Sequence, residues 1–168
     1  MRFLTWLEQT SASLWVRESP SLFAFPFILF LHTLGLAMLG GISVGISVWL
    51  LREREFARTV PMTGFFRVMW LGFGINAFSG VALLIAYPAK ALTDPVFYIK
   101  LLLVGVAVFA IARINRAAFP GGHAHAGAAI GTAAKQWAAW SLAIWAATIL
   151  AGRLLAYTYR MLLTTDVI

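Results

Sequence analysis

Residues 20–51 read PSLFAFPFILFLHTLGLAMLGGISVGISVWLL, thirty-two residues without one Asp, Glu, Lys or Arg. A helix needs about 20 predominantly apolar residues to cross the hydrocarbon of a bilayer, and an uncharged run of this length exceeds what the core of a soluble domain uses. Because hydrocarbon offers no partner to an open backbone group, such a run must be helical. Three more stretches meet the same criterion, at about 62–87, 95–113 and 133–160. With little chain left over, the expectation is an all-α fold: one integral membrane domain over 1–168, a four-helix bundle preceded by an interfacial amphipathic helix.

Composition agrees. The chain is 61% hydrophobic and 11% charged, with mean hydropathy +0.86, outside the soluble range. Its formal charge of +7 is scattered over short loops beside apolar spans, so the expected anionic partner is the lipid bilayer and no nucleic acid. There is no cysteine, which removes disulfides, thiolate metal sites, iron–sulfur clusters and covalently attached haem. The first apolar run is too long for a signal core and lacks a small-residue cleavage site, so it is expected to stay in the mature chain.

Segment ends carry their own signals. TWLEQTSASLWVRE (residues 5–18) has Thr5 and Glu8 at capping-box spacing with an apolar side, and predicts an interfacial helix over about 4–17. Ser19 followed by Pro20 predicts the start of span one, and Pro26 predicts a bend inside it. Span two should end at Pro88, and its Gly72, Asn76 and Gly80 recur every fourth residue on a face that can approach a neighbour closely. Asp94 and Pro95 mark the start of span three, Thr132 caps span four, and the Gly/Ala-rich link AAFPGGHAHAGAAIGT (117–132) reads as mobile. Four spans leave both termini on one side. Loops 1–2 and 3–4 carry Arg52, Arg54, Arg58, Arg113, Arg116 and Lys135, against Arg2, Arg17, Lys90 and Arg160 on the terminal side. The excess places these loops in the cytoplasm of a bacterial inner membrane and the termini in the periplasm.

The six acidic residues fall outside the spans or at their ends, whereas His32, Arg67, Lys100 and Arg153 lie within them. Ionisable groups at depth are costly and mark candidate sites. Counting from the expected caps at about 1.5 Å per residue, His32 lies about 18 Å in, Lys100 about 9 Å and Arg153 about 10 Å, all from the same side. Arg67 sits near the opposite end and reads as a snorkelling side chain. A neutral imidazole with two cations above it suits a b-type haem, whose iron takes an axial nitrogen and whose propionates need basic partners. Lys100 would bind a propionate or complete the coordination. Gly35, one turn from His32, would admit either a flat macrocycle or another helix. His32 also suits a hydrogen bond to a backbone carbonyl, and Lys100 and Arg153 also suit snorkelling. His123 and His125, in the loop, are two ligands without a closed metal site. No acid pair, cysteine or nucleophile motif points to hydrolysis.

The blocks ESPSLFAFPFILFLHTLGLAMLGG, FSGVALLIAYPAKALTDPVFYIKLLLVG and AGRLLAY resemble an uncharacterised family of small four-span bacterial membrane proteins. More distantly, the pairing of LHTLGLA with YIKLLLV is similar to membrane proteins of the HemJ and copper-resistance-protein-D types. That resemblance implies that His32 and Lys100 are haem-associated. The chain lacks a methionine- or histidine-rich copper path. The functional expectation is a haem b protein in electron transfer, alone or with other membrane or periplasmic redox proteins as partners. The alternative is a non-enzymatic subunit that packs against other membrane proteins and holds lipid, quinone or another tetrapyrrole.

Overall fold

A computed structural model describes the backbone of residues 9–165, and the side chains of all of these but Ala12, Ala89, Lys90 and 154–165. The chain is mostly helical: α1 (Ser11–Glu18), α2 (Phe25–Arg52), α3 (Thr63–Ala86), α4 (Pro88–Thr93), α5 (Pro95–Ala118) and α6 (Thr132–Thr165). Two short strands, β1 (Val60–Pro61) and β2 (His123–Ala124), complete it. α2, α3 and α5 are long and apolar enough to cross a membrane. Two compact units are built from these elements, Met1–Ile42 with Phe66–Asp94 and Ser43–Phe65 with Pro95–Ile168.

In the first unit, α1 begins at Thr10, whose hydroxyl accepts from the Ser13 amide at 3.4 Å. The expected capping box at Thr5 and Glu8, and the start of the helix at residue 4, lie outside the described residues. Ser19 is not the cap of span one. It closes α1, donating its amide to the Trp15 carbonyl, while its hydroxyl accepts from Ser21 N and the Ser21 hydroxyl from Phe23 N. These side-chain turns compete with helix, so span one starts at Phe25, five residues later than expected. Pro26 therefore falls in the first helical turn, where its missing N–H has no intrahelical partner to lose. Ser13 is fully buried and donates to the Ala86 carbonyl at 3.3 Å, satisfying one of the orphan acceptors at the end of α3. α3 stops there because Pro88 brings no amide, and α4 restarts on that proline. Asp94 is extended between α4 and Pro95, the first residue of α5, as expected of a helix-flanking position.

In the second unit, α5 and α6 lie against each other. α5 buries Ala107, Ala110, Ile111, Ile114 and Ala118, and α6 buries Ala134, Ala138, Ser141, Trp145 and Thr148, both at three- and four-residue spacing. Alanine at these positions lets the helices approach closely without a bilayer's help. α5 runs five residues beyond its expected end, and α6 has Gly131 before its first turn, the Gly131 carbonyl accepting from Lys135 N, with Thr132 already helical.

The link expected to be mobile is instead tied down. β1 and β2 pair antiparallel, Val60 opposite Ala124 and Pro61 opposite His123. Phe56 exchanges backbone hydrogen bonds with Ala128 and Gly127, Met62 N donates to Gly122 O, and Ile130 N donates to Arg54 O. Trp49, Phe56 and Phe119 form a ring cluster at centroid distances of 5.2–6.2 Å. Gly122 makes the turn possible: its φ is +80°, and a Cβ there would lie 2.8 Å from Thr63 Cγ2. Composition alone reads as a loose Gly/Ala segment because these bonds go to residues some 70 positions away, to a loop the local pattern does not contain.

Candidate functional site

The site is built on the crossing of α2 and α3 inside the first unit. Helices normally keep their axes apart by the side chains between them, and here glycine removes those side chains from both. A Cβ on Gly35 would stand 2.6 Å from Asn76 N and 2.7 Å from Gly72 O; one on Gly72 would stand 2.6 Å from Met38 Cβ. The two backbones are in direct contact. The Gly72, Asn76, Gly80 face therefore does what its spacing predicts.

His32 lies one turn before Gly35, half-buried, and its ring rests on Gly80, where a Cβ would come 3.2 Å from His32 Cε1. Nδ1 is 3.1 Å from Asn76 O and 3.2 Å from Ser79 Oγ. The Ser79 hydroxyl donates to the Ile75 carbonyl at 2.7 Å, which makes its oxygen an acceptor toward the imidazole. Asn76 Nδ2 also lies 3.4 Å from Nδ1, so this nitrogen meets a carbonyl, a hydroxyl and an amide of α3, the carbonyl being the shortest of the three contacts. Asn76 closes the loop from the other direction: its Nδ2 donates to the His32 carbonyl at 2.8 Å. The imidazole is thus oriented by α3, through a backbone carbonyl, a hydroxyl and a glycine face.

This arrangement changes the depth expected from sequence. With α2 starting at Phe25, His32 is seven residues, or about 10 Å, inside the helix rather than about 18 Å. Of the two uses left open for Gly35, the structure shows helix contact, with its outer face filled by α3 backbone. His32 and Gly35 belong to the first unit; Lys100 and Arg153 belong to the second. Lys100 is half-buried five residues into α5, Arg153 is exposed on α6, and Arg67 is exposed near the start of α3.

Asn76 and Ser79 are hydrogen-bond partners that sequence reasoning did not connect to His32. The signal was present: they are polar residues three apart in mid-span, on the edge of the same glycine face. Beside the crossing, Leu31, Trp70, Leu71, Gly74, Ile75 and Phe78 line an apolar groove of about 420 Å³. His32 does not line it. In the second unit, Asn115 Oδ1, Ser141 Oγ and Trp145 Nε1 are buried without a hydrogen-bond partner among the described residues. His123 donates to the Gly121 carbonyl at 2.9 Å, and its ring centroid is 6.1 Å from that of His125. Among the described residues no group of three or more His, Cys, Asp or Glu comes together as a metal site.

The chemistry open to His32 follows. An imidazole whose Nδ1–H is held by a carbonyl is the usual form of a metal-ligating histidine, since that bond sets tautomer and ring orientation and raises the basicity of the other nitrogen. A lone imidazole does not make a site for a bare ion, which needs several protein ligands. Compared with family models, characterised proteins and solved structures, the chain matches none.

Proposed function

We propose that this protein binds a b-type haem through His32 Nε2 and serves in electron transfer, alone or as a subunit of a larger membrane redox assembly. The observation that supports the proposal is the contact of Nδ1 with Asn76 O at 3.1 Å, which with the proton on Nδ1 would orient the ring and make Nε2 the ligating nitrogen. Bound haem would supply a reversible one-electron couple. Asn76, Ser79 and Gly80 would orient the ligating imidazole. Gly35 acts at one remove, keeping α3 close enough for Asn76 to reach the imidazole. The proposed setting is a bacterial inner membrane, with the basic loop pair in the cytoplasm and the termini in the periplasm.

The test is the absorption spectrum of the detergent-purified protein from cells supplied with a haem precursor. A Soret band that disappears in His32→Ala and weakens in Asn76→Leu is the expected result. A folded, monodisperse and colourless protein would overturn the proposal.

One observation favours a second reading. The flank of α3 beside the crossing exposes Trp70, Leu71 and Phe78, the last at 78%. With the groove among them, this surface suits a small non-enzymatic subunit that docks on another membrane protein, or on a lipid or quinone tail. Co-purification of a stoichiometric membrane partner with the colourless protein is the result that would favour it.

A further inference from the structure

The paired loops of the second unit and the helix ends that flank them carry Arg52, Arg54, Arg58, Arg113, Arg116 and Lys135 against Glu53 and Glu55, an excess of four positive charges. None of the six forms an ion pair among the described residues, and Lys135 Nζ binds the Glu53 backbone carbonyl instead of its carboxylate. Two of these cations differ from the rest in how they are held. Arg113 lies over the Trp137 ring at 5.4 Å and near the Phe109 ring at 6.0 Å, and the two rings meet edge to face at 5.7 Å. An aromatic shelf fixes the plane of a guanidinium while leaving its N–H fork pointing away from the ring. Arg116 follows three residues on, on the same side of α5, and both arginines are exposed.

The same helix face continues away from the loops. Leu102, Val106 and Phe109 precede Arg113 and Arg116 at four-, three-, four- and three-residue steps, exposed at 67%, 39% and 56%. Trp140, 65% exposed, stands one turn along α6 from nearly the position of Trp137. The stripe is thus apolar over about 10 Å and doubly cationic at its end, with tryptophan at the change. That is the profile of one phospholipid: acyl chain along the aliphatic and aromatic residues, phosphate at the guanidinium fork, tryptophan at headgroup level. The surrounding excess of positive charge selects against a headgroup that carries its own ammonium.

We propose that the stripe Leu102, Val106, Phe109, Arg113 and Arg116, with Trp137, is a binding site for a single anionic glycerophospholipid whose phosphate is held by Arg113 and Arg116. The site rests on the reading that α5 crosses a bilayer, and is independent of any haem.

The experiment uses the full chain in a neutral detergent, with thermal unfolding followed against added phosphatidylglycerol, phosphatidylcholine or inorganic phosphate. Phosphatidylglycerol should raise the midpoint, phosphatidylcholine much less, and phosphate not at all. The variant R113Q/R116Q should weaken the apparent affinity for phosphatidylglycerol at least 10-fold, and Arg113→Lys, which keeps the charge but loses the fork, by a smaller factor. Arg67→Gln, an exposed cation of the other unit, should leave it unchanged. If the double variant does not fold, the Arg113→Lys and Trp137→Leu titrations carry the decision. Equal shifts with the two lipids, a shift with phosphate equal to that with phosphatidylglycerol, or variants that bind as the parent does would each overturn the proposal.

Discussion

Replacing Gly35 by alanine adds one methyl group at the place where α2 and α3 touch. The new Cβ would lie 2.6 Å from Asn76 N and 2.7 Å from Gly72 O, both backbone atoms that cannot rotate away. Ordinary contact begins near 3.4 Å, so the helices must part locally by about 0.8 Å, and overpacking of this kind costs about 1–3 kcal/mol. Parting them also stretches the 3.1 Å His32–Asn76 bond and the 2.8 Å Asn76–His32 carbonyl bond, and interhelical hydrogen bonds in membranes contribute about 0.6 kcal/mol each. The expected loss is about 2–4 kcal/mol. Gly41→Ala is the internal reference: it lies on the same helix with nothing within 4 Å, and alanine there should be neutral or favourable by about 0.5–1 kcal/mol. Equilibrium unfolding of the purified protein in mixed micelles, read by circular dichroism, compares the two. A Gly35→Ala protein as stable as Gly41→Ala would refute the claim that the backbones are in contact.

Three further outcomes follow from the same geometry. In a double-mutant cycle, His32→Ala and Ser79→Ala, whose side chains meet at 3.2 Å, should couple by about 0.6–1.7 kcal/mol, and additive effects in the same unfolding assay would mean that the two side chains do not interact. Gly122→Ala meets both a positive φ and a Thr63 methyl at 2.8 Å, so it should cost about 1–3 kcal/mol and speed backbone amide exchange at Met62 and Phe56; unchanged exchange would count against the paired loops. Trp145 is 2% exposed and its Nε1 has no partner among the described residues, so Trp145→Phe should cost less than about 1 kcal/mol, whereas Trp145→Ala should cost about 3–5 kcal/mol through the cavity it leaves. A Phe variant as damaged as the Ala variant would show that the indole N–H has a partner.

The glycine contact and the histidine network belong together energetically. Hydrocarbon gives no hydrophobic reward for bringing two apolar helices together, so close approach and a few polar bonds must do so. His32, Asn76 and Ser79 make those bonds only because Gly35, Gly72 and Gly80 keep the axes near. The polar residues specify the register of the crossing, and the same bonds fix the orientation of the imidazole.

The sequence by itself determined that the chain is helical and apolar enough for a bilayer, where α3 begins and ends and where α5 begins, and which face of α3 meets a neighbour. These are matters of period, apolar length and proline position, all written locally. It also marked His32 as out of place. What it could not determine was the partner of each marked residue. The start of α2 moved from Pro20 to Phe25 because serine side-chain turns outbid helix there, and that moved His32 by about 8 Å along the helix axis. The identity of the neighbour across Gly35, the partners of the His32 ring, the pairing of the two loops and the shelf under Arg113 are all contacts between residues apart in sequence. Only tertiary structure decides such contacts, because periodicity reports which face of a helix is special and is silent on what comes to lie against it.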